Sequence, residues 1–380
     1  MKIAVLIRNF DINAGGAERY CVELTKRLSK IHEVHVFSQK IQHKSNDIAF
    51  HTITQWFEKP RYLNYLLFSY LTKRATKDKF DIVHSHEMTT YANIQTLHVS
   101  CFKTKYRQSK GLNKLFRWLG VIISLRKIAF LWLEYRQMQV RTDKHFISVS
   151  EYLSKNLIAN YPNLNKHLTM AYPGINHYKN NDSHRMCNSY VIKKQLGLGG
   201  NDFLFLFVGH DLIKKGLPTI IQALNILNNN YIHVAVVGSG KNNKVHIPAT
   251  LKNNVHFLGV VKDMTNLYKN VDALIHPTLA DTYGMAVLEA MSSKLPVIVS
   301  NKKYCGFSEH LNNDQVLILE NPRDEIELSK KINLIFSDIE FRETIAEKGY
   351  KKSQSINWEN TLEKTLLAYN IVLKKSKEQV

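Results

Sequence analysis

Two unbroken apolar runs, residues 3–7 (IAVLI) and 203–208 (FLFLFV), each lead within a few residues to a glycine-bearing turn and then to apolar residues at helical spacing. A strand with one wet face alternates; a strand without polar positions has to be covered on both sides, as a parallel strand between helices is. Short apolar runs recur at 34–38, 82–84, 95–99 and 145–149, and again at 232–237, 255–261, 273–275 and 297–299. Strands alternating with helical patterns predict βαβ units and an α/β fold built on doubly wound sheets. At 380 residues the chain exceeds one ordinary core, so two such domains are expected. From Tyr172-Pro173-Gly174 to Gly200 the pattern loosens into turns, which puts a first domain over residues 1–172 and a second over 173–356. Residues 357–380 form a third segment, whose run from Trp358 to Leu373 is amphipathic.

The chemistry concentrates in residues 276–300 (HPTLADTYGMAVLEAMSSKLPVIVS). Val287, Leu288 and Met291 make the inward face of a helix that begins near Gly284, with Asp281 just before it and Glu289 inside it. A helix start offers backbone N–H groups and the positive end of a dipole, an anion site flanked here by two carboxylates that accept hydroxyl hydrogen bonds. A diphosphate with ribose on one side and hexose on the other presents that pattern. An acid ahead of a helix is also the ordinary cap. Earlier in the same domain Lys214 and Lys215 stand before Gly216 between a strand and a helix, where point charges suit a phosphate.

In the first domain Gly15 and Gly16 follow the first strand and open a helix with Cys21, Leu24, Leu28 and Ile31 expected inward. Such a turn can cradle phosphate or simply connect two elements. His84, His86 and His98 stand at strand ends, where open α/β sheets keep their sites.

Lys and Arg number 52 against 32 Asp and Glu, a formal charge of +20. Residues 1–170 hold 27 basic and 12 acidic side chains, an excess of 15, so the first domain is expected to face an anionic partner. Its outlier is 101–141, with ten Lys or Arg, the one acid Glu134, and interleaved aromatics. Arg117, Trp118, Arg126 and Lys127 read as contacts to an anionic membrane surface, with cationic stems reaching lipid phosphates. The competing reading makes Leu119 to Leu133 a core helix. Four scattered cysteines without metal-ligand spacing read as reduced thiols of a cytosolic protein. The first ten residues are too short an apolar run for a signal peptide, and no 18-residue apolar span exists.

Asp281-x7-Glu289, Lys215-Gly216 and Gly15-Gly16-Ala17-Glu18 together resemble the signatures of the retaining GT-B glycosyltransferases of family 4, over nearly the full length. Residues 303–307 (KYCGF) are similar to a glycine-bearing loop of the branch that adds glucose to lipopolysaccharide core. The resemblance implies two Rossmann-like domains facing each other across a cleft, with 357–380 as the helix that crosses back to the first domain. It implies that Glu289 accepts from ribose hydroxyls, Asp281 from a hexose hydroxyl, and that Lys215 clamps the diphosphate together with the amides of Gly284, Met285, Ala286 and Val287. Lys214 would supply the second charge, because His210 occupies the family's arginine position. Gly15 and Gly16 would lie over the donor diphosphate or the acceptor. Thr96-Leu97-His98 matches the family's T-x-H, whose histidine touches the transferred sugar. No metal is expected, since no D-x-D occurs, and no cofactor beyond a nucleotide-sugar donor, UDP-glucose being the expected one. The implied acceptor is a glycolipid or lipopolysaccharide-core saccharide, and the implied place is cytoplasmic, peripheral on the inner face of the membrane.

Two departures bear on these roles. Asp281 is one methylene shorter than the family's glutamate, and Lys294 stands where a helix-ending glycine is usual. Two other classes remain open at this level. One is an enzyme or binder acting on nucleic acid, prompted by the charge, although the aromatics among the cations favour lipid and no nucleic acid is expected. The other is a non-catalytic module that senses sugar nucleotides.

Overall fold

The computed structural model describes residues 1–104, 121, 123–176, 192–238 and 245–377. The chain divides into two units, Met1–Gly174 with Trp358–Val380, and Ile175–Asn357. In the first unit β1 (Lys2–Leu6), β3 (Glu33–Ser38), β5 (Ile48–Thr52), β6 (Ile82–Ser85), β7 (Ile94–Leu97), β8 (His145–Ser148) and β9 (Leu168–Met170) form a parallel sheet. Its order is β5-β3-β1-β6-β7-β8-β9, with β2 (Asn9–Phe10) and β4 (Lys40–Ile41) paired apart. Winding reverses between β1 and β6, so loops from opposite directions leave side by side at the carboxyl ends of these two strands. β5 escapes the apolar-run criterion because only Ile48 of its five residues is buried.

The helix α1 (Gly16–Leu28) buries Tyr20, Cys21, Leu24 and Leu28. Ile31, expected on that face, lies past the helix end and is 53% exposed. The helices α2 (Arg61–Thr76), α3 (Leu125–Gln137) and α4 (Glu151–Asn160) follow. The final helix, Trp358–Lys377, returns to this unit: Trp358, Ala368, Tyr369 and Val372 join its core, with Trp358 edge-on to Tyr20 at 5.7 Å.

The second unit carries β10 (Phe203–Val208), β11 (Ile232–Val237), β12 (Val255–Gly259), β13 (Ala273–His276), β14 (Val297–Ser300) and β15 (Leu317–Leu319). All are parallel, in the order β12-β11-β10-β13-β14-β15. Here the winding reverses between β10 and β13. The helices are α5 (Leu217–Leu227), α6 (Met264–Lys269), α7 (Met285–Ser292), α8 (Glu325–Ser337) and α9 (Ile339–Gln354), and the closing helix of the first unit becomes α10. Among the described residues no helix is long and apolar enough to cross a membrane.

Lys294 takes the left-handed conformation of the missing glycine, with φ 56°. Leu295 N–H reaches Ala290 O and Lys294 N–H reaches Met291 O, both at 3.0 Å, the paired bonds of a Schellman ending to α7. The Lys294 ammonium lies 3.5 Å from Glu347 and 4.8 Å from the Tyr350 ring centre. Left-handed strain costs about 1 kcal/mol, and partly exposed contacts of this kind return a few tenths to about 1 kcal/mol. Lys294→Gly is therefore expected to leave stability equal or raise it by about 0.5 kcal/mol, read by thermal melting. A clear fall would show that Glu347 and Tyr350 outweigh the strain.

Candidate active site

At the reversal of the second sheet, the loop after β10 and the loop after β13 are neighbours because their strands pair directly. The first loop makes Lys215 N–H donate to Asp211 O (2.8 Å) and Lys214 N–H to the Asp211 carboxylate (3.1 Å). Leu279 N–H of the second loop then donates to Lys214 O at 2.9 Å. Gly216 is the contact point. Its φ is +89°, and a Cβ there would sit 2.0 Å from Pro277 O. Only glycine lets the two backbones meet so closely.

This approach joins two residues that the sequence assigned to different parts of a ligand. The Lys215 ammonium forms a short ion pair with Asp281 Oδ2, and His276 Nε2 donates to the same oxygen at 3.0 Å. The side chains of Lys215 and Asp281 are 21% and 16% exposed, and that of His276 1%. Burial alone would raise the Asp281 carboxyl, but the Lys215 charge and the His276 hydrogen bond outweigh it and hold the group well below the usual carboxylate range. Burial also keeps His276 neutral by lowering its imidazole against the pull of Asp281. Asp281 Oδ1 meets Tyr283 N–H at a long 3.4 Å.

Residues 301–307 pin this arrangement by pairing with the Asp281 segment. Asp281 N–H donates to Tyr304 O (2.7 Å), Gly306 N–H to Asp281 O (3.1 Å) and Phe307 N–H to Tyr283 O (2.5 Å). Cys305 sits buried beneath the turn with its thiol pushed up to about 12 by burial, so it is a packing group. Gly284, at φ +106°, begins α7; a Cβ on it would come 2.6 Å from Cys305 Sγ. Met285 and Ala286 open the first turn, while Val287 N–H is turned back to Gly284 O at 3.0 Å. That bond takes Val287 out of the set of open amides the sequence grouped together, because the first turn of α7 closes tightly. Glu289 lies one turn along α7, and Tyr268 Oη, from α6, donates to its Oε2 at 2.8 Å. Tyr268 is 2% exposed and carried no signal in the sequence that would link it to Glu289. Lys214 is exposed, as is His210.

In the first unit Gly15 stands ahead of α1, where a Cβ would meet Glu18 Oε2 at 2.8 Å. The start of α1 at Gly16 thus already has a carboxylate folded over it, and burial raises that carboxyl, with Glu87 nearby adding to the rise against Arg8. Arg8 binds Glu87 (Nε to Oε2, 3.1 Å) and lies 3.8 Å over the Tyr65 ring, a polar cluster the sequence reading missed. His84, His86 and His98 stack, with ring centres 4.4 Å and 5.3 Å apart. His84 shares hydrogen bonds with Tyr369 Oη (2.8 Å) and Thr96 Oγ1 (2.6 Å), and His86 Nδ1 shares one with His98 Nε2 (3.0 Å). Burial lowers His84 and His98 to about 3, so both are neutral at physiological pH. His84 is a buried structural residue tied to α10, and His98 lies just past the end of β7.

Arg117 and Trp118 lie outside the described residues. Of the same segment, α3 serves both readings at once. Leu133, Glu134 and Gln137 are buried, whereas Leu125, Ile128, Trp132 and Tyr135 are exposed on helical spacing beside exposed Arg126 and half-buried Lys127. Glu134 anchors the inner side by accepting from Phe102 N–H, Lys103 N–H (3.1 Å) and Tyr161 Oη (3.0 Å).

Residues 14–179 match the family model described as Glycosyltransferase Family 4, and residues 189–352 the one described as Glycosyl transferases group 1. An uncharacterised glycosyltransferase of Methanocaldococcus jannaschii, MJ1607, is 24% identical over 305 residues, 78% of this chain and 76% of that protein. The lipopolysaccharide glucosyltransferase WaaG of Escherichia coli (strain K12) is 32% identical over 136 residues, 34% of this chain and 36% of WaaG. A crystal structure of WaaG, a glycosyltransferase involved in lipopolysaccharide biosynthesis, superposes with a TM-score of 0.79 at 19% identity, covering 97% of this chain and 99% of that one. That of Anabaena HepE in complex with UDP and glucose superposes with a TM-score of 0.73 at 17% identity, covering 96% and 98%. With family models matching both halves and both sheets in the GT-B arrangement of parallel strands, the chain belongs to the GT-B glycosyltransferases of family 4.

Proposed function

We propose that this glycosyltransferase moves a hexose, glucose in the first instance, from a nucleotide diphosphate sugar to a glycolipid or lipopolysaccharide-core saccharide at an anionic membrane surface. The observation that carries the reading is the meeting of the Lys215 loop with the Asp281-x7-Glu289 turn at the reversal between β10 and β13. Lys215, Lys214 and the amides that open α7 face the diphosphate, and their charge and dipoles stabilise it as it leaves. Glu289, held by Tyr268, accepts from the ribose, and Asp281 offers Oδ1 to a hexose hydroxyl. In the first unit, neutral His98 is assigned to a sugar hydroxyl, and Gly15 and Gly16 beneath Glu18 to acceptor hydroxyls, since a carboxylate suits O–H donors and repels phosphate. Transfer goes with retention. The acceptor oxygen bonds to the anomeric carbon on the face from which the phosphate departs, and its proton passes to the leaving phosphate oxygen. No protein nucleophile and no metal is required for that balance.

The relatives are consistent with this donor and acceptor class: WaaG is named as a lipopolysaccharide glucosyltransferase and HepE was crystallised with UDP and glucose. The test is a thermal-shift panel of UDP-, ADP- and GDP-linked sugars, followed by transfer from the best of them to a lipid A-core acceptor. A rise with UDP-glucose and transfer of glucose supports the proposal. Absence of turnover with every donor would overturn it.

The exposed face of α3, with Leu125, Ile128, Trp132 and Tyr135 beside Arg126 and Lys127, supports docking on an anionic leaflet from the cytoplasmic side. Each basic side chain near such a surface contributes about 1 kcal/mol. Charge reversal at Arg126 and Lys127 together is therefore expected to lower partition onto anionic vesicles by at least roughly thirtyfold. Unchanged co-sedimentation would remove this face from the membrane contact.

A further inference from the structure

We infer that Asp281, steadied by His276, positions the ammonium of Lys215 and competes with the donor's diphosphate for it, so the same carboxylate that serves transfer limits how tightly the nucleotide is held. The inference rests on the reading of Lys215 as the diphosphate-binding lysine. Oδ2 of Asp281 receives both the Lys215 ammonium and the His276 Nε2–H, while among the described residues Oδ1 has only the long contact to Tyr283 N–H. His276 Nδ1 has no hydrogen-bond partner among the described residues, which fixes the proton on Nε2 and the ring as a donor to Asp281.

Neither partner of the pair is a loosely held surface group. The Lys215 backbone is held through Asp211 O and the Gly216–Pro277 approach, and the Asp281 backbone is paired on both sides with Tyr304 and Gly306. An entering diphosphate meets an ammonium already neutralised and a carboxylate of its own sign beside it. It has to share or displace that pair, which weakens binding relative to a free lysine. The arrangement also favours departure of the nucleoside diphosphate after transfer, because Asp281 is in place to recapture Lys215.

Asp281→Asn keeps the shape and an oxygen for His276 while removing the charge. Damage to the fold weakens an anion site; only loss of a competitor strengthens it. The experiment is calorimetric titration of the full chain with inorganic pyrophosphate, which needs no knowledge of the base. Asp281→Asn, and Asp281→Ala as a second neutral variant, are expected to bind pyrophosphate roughly tenfold more tightly than the native chain, with kcat lowered and the donor KM lowered with it. Lys215→Met is expected to bind about tenfold more weakly, and in that background the gain from Asp281→Asn shrinks. Pyrophosphate binding that is equal or weaker in both folded Asp281 variants overturns the inference while leaving the Lys215 reading intact, provided Lys215→Met loses affinity. Unchanged binding in Lys215→Met overturns both.

Discussion

Lys215→Met is expected to lower kcat/KM for the nucleotide-sugar donor by about 10²–10³, the range for removing one preorganised charge from a developing anion. The methionine retains the apolar stem that runs along the loop after β10 and deletes only the ammonium. Two effects are superimposed, because the lysine also balances a buried carboxylate. The double variant with Asp281→Asn separates them. If the loss came from an orphaned Asp281, Lys215→Met would cost little further in the Asp281→Asn background; if it comes from the leaving diphosphate, the double variant falls about as far below Asp281→Asn as Lys215→Met falls below the native chain. Initial rates with the donor that raises the melting temperature most decide the matter, and a loss below about threefold would take Lys215 out of the chemistry.

Gly216→Ala is the larger structural lesion. At φ +89° an added Cβ would lie 2.0 Å from the oxygen and 2.8 Å from the carbon of the Pro277 carbonyl, both backbone atoms on the loop that carries Asp281. No rotamer relieves that clash, so either α5 or the loop after β13 has to retreat. Left-handed strain and forced separation together are expected to cost at least about 3 kcal/mol, a fall in melting temperature of roughly 6–12 °C for a unit of this size. Differential scanning calorimetry checks it. A fall under about 2 °C would mean that the two loops part without penalty, and the Lys215–Asp281 contact would then have no rigid base.

How far the site could be read in advance differs from residue to residue. The strands that bear it were legible because burial on both faces leaves an unbroken apolar run, and β10, β13 and β14 have it. Gly216 and Gly284 take positive φ at the starts of α5 and α7, as turn glycines do, whereas the roles expected of Lys215 and Glu289 came from the family resemblance, because a lysine before a helix or a glutamate inside one has many other uses. Lys294 was legible as a strain, and its φ of 56° agrees with that expectation. Tyr268 was not, since a tyrosine on a short amphipathic helix reads as packing until the neighbour of its hydroxyl is known. Nor was the double character of α3, where Glu134 faces inward among backbone donors and Trp132 faces out. The clustering of Arg8, Glu87 and Tyr65 was equally invisible, because its members come from three separate elements.

By itself the sequence determined the kinds of element, the two-domain α/β plan and the chemical groups placed at strand ends, because burial periodicity and turn chemistry act over a few neighbouring residues. Only the tertiary structure decided that Lys215 and Asp281, 66 positions apart, share one oxygen with His276. That pairing depends on strand order: β10 lies against β13 although β11 and β12 intervene in the chain, and no local preference encodes which loops such a crossover brings together.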